Sequence, residues 1–200
     1  MSFAPGRGSD RTMEERTDAA SPADEALMAK VGRGDADAFA VLSARHLART
    51  LALAQRMLGT RGDAEDVAQD VFLRVWTHAP RWRQDGARFT TWLYRVTVNL
   101  CLDRKRRPVP AHLDEAPEPA DHRVDTEADM ERRQTADLVA DALAHLPERQ
   151  RAALALCYDA GLGNVEAAAV LDISIGALES LLVRGRRALR ERLSDLAKAL

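Results

Sequence analysis

The stretch FTTWLYRVTVNLCLDRKRR, residues 89–107, decides the fold of this chain. At 100° per residue it predicts one amphipathic helix, which Thr90 can cap because its hydroxyl accepts a hydrogen bond from an amide of the first turn. The apolar stripe of this helix consists of Leu93, Val96 and Leu100, which lie on one side and face a core. The stretch therefore predicts a helical domain that packs around residues 89–107.

A second face of the same helix is polar. Two guanidinium groups and an amide in a row can hold phosphates and read base edges, and these groups belong to Arg95, Asn99 and Arg106. Near the helix start, Trp92 and Tyr94 offer flat rings on which an unstacked base could rest. The alternative interpretation of this stretch alone is a core helix with a solvated basic end. The rest of the chain favours the nucleic-acid interpretation.

Charge is balanced overall but unevenly distributed. The 200 residues, enough for one or two domains, carry a formal net charge of −2, so the whole-chain charge gives no argument for nucleic-acid binding. Residues 81–107 nevertheless contain eight basic residues against two acidic ones, and residues 184–192 contain five against one. Two basic surfaces with an acidic connector fit two separate contacts with a polyanion.

The sequence predicts neither a catalytic site nor a metal site. Cys101 and Cys157 stand in apolar helical patterns without a CxxC or Cys/His cluster, and the histidines are scattered. This usage favours structural thiols in a reducing compartment. A nucleotide-binding glycine loop and a catalytic dyad are missing too, so we expect no enzyme activity and no cofactor. Apolar runs fall short of the roughly 20 residues of a membrane span, and the polar start is unlike a signal peptide. We therefore expect a cytoplasmic protein without membrane insertion.

Composition divides the chain into four parts. Residues 1–20 lack periodicity and predict a disordered tail. Residues 21–107 predict a small domain of four helices, in which Asp35 caps the second helix and the third runs over 63–78. Residues 108–125, rich in proline and acidic residues, predict an extended linker. Its carboxylates could imitate nucleic acid or serve solvation alone. Residues 126–200 predict a second helical domain.

The third helix carries an acidic face opposite its core stripe. Asp63, Asp66 and Asp70 line up with Gln69 beside them. Like charges four residues apart oppose each other, and Asp70 lies too far along the helix to gain from its dipole. A solvated face is one interpretation, and an acidic ridge for a basic protein partner is the other.

The second domain has a helix-turn-helix pattern. A short helix capped by Asn164 ends at Leu171, a tight turn follows, and Ser174 caps a long final helix that reaches about Leu196. The outward face of the final helix offers small and polar groups at its start and arginines further on: Gly176, Glu179, Ser180, Val183, Arg187 and Arg190. Helical hairpins of other purpose look alike, so the pattern by itself leaves DNA binding open.

Together, these motifs resemble bacterial RNA polymerase sigma factors of the extracytoplasmic-function (ECF) group. The matching segments are DVAQDVFLRVW at 66–76, FTTWLYRVTVN at 89–99, LPERQR at 146–151, EAAAVLDIS at 166–174 and RGRRALRERL at 184–193. They stand in the order of the family, and the resemblance runs from about residue 24 to residue 193. It implies an all-α fold of two small helical domains, sigma domain 2 and sigma domain 4, joined by a flexible acidic linker.

The resemblance also implies a function and its residues. Such a protein binds core RNA polymerase at the β′ clamp and the β flap, reads promoter DNA, directs initiation and is controlled by an anti-sigma factor. The residues implied for the β′ clamp are Asp66, Gln69 and Asp70. Those implied for the −10 element are Arg88, Trp92, Tyr94, Arg95, Asn99 and Arg106. Those implied for the −35 element are Ser174, Gly176, Glu179, Ser180, Arg184 and Arg187.

One departure and two alternatives accompany this interpretation. Glu179 replaces a cation that the family often has, so it either reads cytosine amino groups or lowers DNA affinity. A sigma-like decoy that sequesters an anti-sigma partner without binding DNA is one alternative, disfavoured by the intact Arg95 and Asn99 face. A helix-turn-helix regulator that acts without polymerase is the other, disfavoured by the complete first domain.

Overall fold

The computed structural model describes residues 23–83, 88–106, 135 and 138–199, and all regular structure within them is helical. The helices are α1 (Asp24–Val31), α2 (Ala36–Leu58), α3 (Arg61–His78), α4 (Phe89–Arg106), α5 (138–144), α6 (Glu148–Leu154), α7 (Asn164–Leu171) and α8 (Ile175–Ala199). A 3₁₀ turn follows α3, and a π-helical turn, Ala155–Asp159, follows α6. The predicted all-α fold is confirmed. The predicted tail, 1–20, and linker, 108–125, lie outside the described residues.

Local sequence sets the ends of α2 and α3. The Asp35 carboxylate accepts a hydrogen bond from the Ala38 amide at 2.9 Å, as predicted for an N-cap. Gly59 ends α2 at a φ of 90°, a conformation that costs glycine little because it has no Cβ. The Thr60 hydroxyl then accepts from the Asp63 amide at 3.3 Å, so α3 begins at Arg61 rather than at Asp63.

The start of α4 differs from the sequence-based expectation. Thr90 lies inside the first turn and is not the cap. The Phe89 amide instead donates to the Glu25 carboxylate at 3.1 Å, which satisfies one of the amides that a helix start leaves open. A side chain of α1 therefore fixes the position at which α4 begins.

The first domain, α1–α4, has a well-filled apolar core. The predicted α3 stripe is buried throughout, at Val67, Ala68, Val71 and Val75. On α4 the buried face is broader than the predicted stripe: Leu93 is buried, whereas Val96 and Leu100 are half-buried. Fully burying one such aliphatic side chain stabilises a fold by roughly 1.5–3 kcal/mol. The α4 residues that occupy the core are Phe89, Thr91, Leu93, Tyr94, Thr97, Val98 and Cys101.

A polar clamp joins α1 to α2. The buried His46 ring lies 2.8 Å from the Asp24 carboxylate, measured from Nε2 to Oδ2. The other oxygen of Asp24 accepts from Arg45. Because a buried polar group costs free energy unless it is hydrogen-bonded, this pairing explains why His46 is tolerated inside the domain. The prediction of a satisfied helical histidine is confirmed.

The second domain, α5–α8, packs its long last helix closely against α6. A Cβ added at Gly185 would lie 3.0 Å from the Leu154 Cδ1 atom, so glycine permits this approach. Ser174 caps α8 as predicted, accepting from the Ala177 amide at 3.2 Å. Asn164 does not cap α7, because it is already the first residue of that helix and Gly163 precedes it as the cap.

The two domains are in contact. Helix α4 packs on α7, and α2 packs on α6 and the π-helical turn. Their buried apolar side chains form one continuous cluster. Arg56 of α2 pairs with Asp159 of the second domain at 3.1 Å, and buried Arg151 donates to the Met57 carbonyl at 2.8 Å. These contacts bring the organising helix α4 against the helix-turn-helix unit.

Candidate nucleic-acid interface

The polar face of α4 points away from the core of the first domain. Arg95, Asn99 and Arg106 are all exposed, one turn or more apart on the same side. Arg95 is nevertheless engaged, because its guanidinium donates a hydrogen bond to the Ala169 carbonyl of α7. The structure therefore brings the three residues to one face, and it places the helix-turn-helix unit against the first of them.

Trp92 belongs to an aromatic cluster at the start of this face. Its ring is stacked on His78, with centroids 5.0 Å apart and planes at 15°. Trp82 meets it edge-on at 5.7 Å. The ring of Trp92 is half-buried, so part of it remains accessible to a base. His78 is the residue that the sequence did not indicate, since its pairing depends on the bend at the end of α3.

Tyr94 corrects the prediction of a second ring for an unstacked base. Its side chain is 2% exposed and lies in the core of the first domain. Burial raises the pKa of the Tyr94 hydroxyl, and the nearby Arg49 guanidinium opposes that rise. Because α1 and α2 cover the side of α4 from which Tyr94 projects, this ring cannot stack with DNA in the arrangement observed.

Arg88 lies just before α4 and forms a contact between the domains. Its Nη1 atom is 3.1 Å from the Glu166 Oε1 atom of α7. The arginine side chain remains 77% exposed, so the pair is a weak surface interaction. The other oxygen of Glu166 accepts from the Gly163 amide at 3.4 Å. One carboxylate thus serves both the start of α7 and a predicted DNA-binding arginine.

The predicted duplex-reading residues gather on the outer surface of α8. Those that are exposed together are Ser174, Gly176, Glu179, Ser180, Arg184 and Arg187. The Ser180 hydroxyl donates to the Gly176 carbonyl at 2.9 Å, and Arg184 Nε donates to the Ser180 carbonyl at 3.2 Å. Arg187 pairs with Glu191 at 2.8 Å, and that hydrogen bond raises the pKa of the guanidinium. Small groups at the helix start and cations further along are the arrangement that a major groove accepts.

The acidic ridge of α3 is partly neutralised at its base. Asp66, Gln69 and Asp70 are exposed. Arg104 of α4 lies 2.7 Å from Asp63 and 2.8 Å from Asp66. The pKa of Asp63 is lowered, first by the hydrogen bond from the Thr60 hydroxyl and further by Arg104. Asp70, further along the helix, keeps the exposed negative charge that a basic partner would meet.

Two apolar residues continue this ridge and were not predicted. Leu73 is 60% exposed and Trp76 is 38% exposed, one and two turns beyond Gln69. The Trp76 ring rests edge-on against Phe39, with centroids 5.2 Å apart. An exposed large apolar side chain beside a polar stripe is typical of a protein contact. The spacing from Gln69 was the signal that could have found them.

None of the helices that the structure describes is both long and apolar enough to cross a membrane.

Two family models match the chain. Sigma-70 region 2 matches residues 42–108, and Sigma-70 region 4 matches residues 136–189. The ECF RNA polymerase sigma factor SigW of Bacillus subtilis is 30% identical over 84% of this chain and 95% of its own length. The ECF RNA polymerase sigma factor SigM of Mycobacterium tuberculosis is 36% identical over 91% of this chain and 87% of its own length.

Solved structures show the same fold. CnrH, in complex with the cytosolic domain of CnrY, superposes with a TM-score of 0.65 at 29% identity, covering 89% of this chain and 99% of CnrH. The sigma factor RpoE of Bartonella quintana, in complex with the anti-sigma factor NepR, superposes with a TM-score of 0.61 at 22% identity, covering 78% of this chain and 96% of RpoE. The second likeness concerns the fold alone.

Proposed function

Because this chain belongs to the ECF group of RNA polymerase sigma factors, we propose that it binds core RNA polymerase, recognises the −10 and −35 promoter elements and directs transcription initiation. Residues 21–107 form the polymerase- and −10-binding domain, and residues 126–200 form the −35-binding domain. The polymerase supplies the catalytic chemistry, so this chain acts as a binding and specificity subunit.

The observation that carries this proposal is the pair of separate DNA-binding faces on two helical domains. On α4, Arg95, Asn99 and Arg106 share an exposed face with the half-buried ring of Trp92 at its start. On α8, the capped helix start exposes Gly176 and Ser180 ahead of arginines. The first face suits a melted strand, since stacking needs an open ring and phosphates need cations. The second suits a duplex, since a helix start enters the major groove.

The α3 ridge is the surface that we propose for the β′ clamp. Gln69 and Asp70 supply its polar part, and Leu73 and Trp76 extend it with apolar area. Mixed surfaces of this kind combine the orientation given by charge with the affinity given by apolar burial. Asp66 contributes less free charge than Asp70, because Arg104 already pairs with it.

A groove on α8 fits the second polymerase contact, the β flap. It encloses about 560 Å³ and is lined by Leu189 and Leu193, with Arg186 and Arg190 at its rim. The groove lies beyond the DNA-reading part of α8, so an apolar segment of polymerase and a promoter duplex can occupy the helix at the same time. Its leucine floor supports an apolar occupant.

An anti-sigma factor is the regulatory partner that we propose. The two solved structures with this fold, CnrH and RpoE, are complexes with CnrY and with the anti-sigma factor NepR, respectively. A protein that covers the α4 face or the α3 ridge would prevent promoter recognition or polymerase binding. We expect the same class of regulator to act on this chain.

In vitro transcription tests the proposal directly. The purified chain and core RNA polymerase are incubated with a library of promoter fragments, and the transcript starts are sequenced. Discrete starts downstream of a shared two-part element support a sigma factor. A stable complex with polymerase that yields no discrete starts would contradict it and favour the decoy function.

A further inference from the structure

Helix α7 presents two electronegative groups to the α4 face. The Glu166 carboxylate pairs with Arg88 at 3.1 Å. One turn later, the Ala169 carbonyl accepts a hydrogen bond from Arg95. Ala169 stands in the last turn of α7, where backbone carbonyls have no partner within the helix and carry the negative end of its dipole. Both arginines belong to the face that we propose for the −10 strand.

The contact therefore satisfies these arginines with groups of the same chain. A phosphate and a carboxylate are alternative partners for one guanidinium. A DNA strand can engage Arg95 only after the α7 carbonyl has left it. The remainder of the face is open, since Asn99 and Arg106 are exposed.

The other binding surfaces stay accessible in this arrangement. The reading positions of α8, from Gly176 to Arg187, lie on its exposed side, and the α3 ridge is exposed at Gln69 and Asp70. Closure thus affects one surface and leaves two free. This selectivity distinguishes it from a general burial of the binding surfaces.

Distance gives a second argument. Elements at −10 and −35 are roughly 80 Å apart on a B-form duplex, with about 3.4 Å for each base pair. In this structure α4 contacts α7, which packs on α8. Because a helix with its side chains is about 10–12 Å across, the two DNA-reading faces lie within a few helix diameters. They cannot reach both elements of one promoter without separation of the domains.

We propose that α7 closes the −10-reading face of α4 in the free protein, so that Glu166 and the Ala169 carbonyl compete with a DNA strand for Arg88 and Arg95. The closed chain binds the polymerase through the α3 ridge and −35 duplex through α8. It binds a melted −10 strand only after the domains separate. This inference rests on the proposed function, because it assumes that the α4 face receives the strand.

The contacts that hold the closed state are suited to reversible opening. Arg88 with Glu166 is exposed, and Arg56 with Asp159 is partly exposed, at 36% and 25% of the side chains. Pairs of this kind contribute little each. A partner that binds only the open form can therefore shift the population.

The Arg56–Asp159 pair offers a test that leaves every proposed DNA contact intact. Asp159→Arg places two guanidinium groups where an ion pair stood and should open the chain. Apparent affinity for a ligand of the open state scales with its population, so the affinity of the free protein for a −10 single-stranded oligonucleotide should rise about 5- to 20-fold. The double variant Arg56→Asp with Asp159→Arg restores the pair in reverse and should return the affinity to the wild-type value.

Two measurements are made on each variant: oligonucleotide affinity by fluorescence anisotropy, and radius of gyration by small-angle X-ray scattering. The proposal expects Asp159→Arg to raise both and the charge swap to reverse both. An unchanged radius, or a larger radius with unchanged affinity, overturns it.

Transcription by the same variants separates this inference from the proposed function. Wild type and Asp159→Arg should initiate equally as holoenzymes, since the domains are already apart. If neither initiates, the proposed function fails, whatever the radius reports. If both initiate while the free variant gains no affinity, only the closure fails.

Discussion

Arg151 donates a hydrogen bond from Nη1 to the carbonyl oxygen of Met57, 2.8 Å away and 94 residues earlier in the chain. Its Nη2 atom donates to the carbonyls of Ala144 and Leu146. The side chain is buried without a carboxylate among these partners, and burial lowers the pKa of its guanidinium. One cation therefore ties the loop before α6 to the end of α2.

Replacing that cation should be costly. Arg151→Met removes the donors and leaves buried carbonyls unsatisfied, so we expect the free energy of unfolding to fall by about 2–4 kcal/mol. Thermal or urea denaturation measures the change. The exposed neighbour gives a matched control, since Arg149→Met should change stability by less than about 0.5 kcal/mol. Equal effects of the two substitutions would contradict the role assigned to Arg151.

The α3 ridge predicts a loss of polymerase affinity without a loss of fold. Asp70→Arg reverses an exposed charge, and we expect its affinity for core polymerase to fall about tenfold or more. Leu73→Ala should weaken the complex too, since it removes exposed apolar area. Holoenzyme titration measures both, and circular dichroism checks the fold. Asp37→Arg, on the first turn of α2, is the control that should bind normally. Normal assembly by Asp70→Arg would refute the ridge.

Arg187 and Glu191 predict opposite changes in duplex binding. Arg187→Ala should weaken binding of a −35 duplex and reduce the slope of log affinity against log salt by about one, because one phosphate contact is lost. Glu191→Gln removes the carboxylate that pairs with Arg187 at 2.8 Å and should strengthen binding about twofold. Salt titrations of both variants, with Arg33→Ala in the first domain as control, provide the measurement. An unchanged slope for Arg187→Ala would mean that this residue does not touch phosphate.

The two cysteines should differ in reactivity. Cys101 is buried, and burial raises the pKa of its thiol to about 12 from a model value of 9.0. Cys157 is half-buried, and its pKa is raised by burial as well. At pH 8 a thiol reagent should modify Cys157 first and Cys101 only when the fold opens. The variant Cys157→Ser isolates the slow thiol, and rapid modification of both cysteines in the folded protein would contradict this account.

The same burial predicts a pH dependence of stability. Between about pH 9 and 12 the unfolded chain loses the Cys101 proton while the folded chain retains it, so the folded state binds more protons and stability falls as pH rises. Below pH 9 this contribution is fully present. Cys101→Ala should flatten the decline over that range, which urea titrations at several pH values can detect.

Sequence patterns predicted what depends on neighbours along the chain. Asp35 and Ser174 cap helices as expected, because a cap needs only residues within one turn. The α3 stripe and the exposed face of α8 follow from periodicity alone. These elements carry most of the candidate site.

Contacts between distant residues were not predictable in this way. Glu25, from α1, caps α4 in place of Thr90, and nothing within one turn of Phe89 indicates it. Tyr94 was misassigned because periodicity gives the angle between faces but not how many faces neighbouring helices cover. The partners of Arg88 and Arg95 on α7 lie 78 and 74 residues away. Only the packing of the domains shows that these arginines are occupied.

Photocrosslinking tests the central claim most directly. A photoreactive residue is placed at Asn99 or at Ser180, both exposed, and each protein is assembled with core polymerase on a promoter found by transcription. The account predicts that position 99 crosslinks to the melted strand at −10 and that position 180 crosslinks to the duplex at −35. Crosslinks from both positions to one element, or to DNA outside both elements, would contradict it.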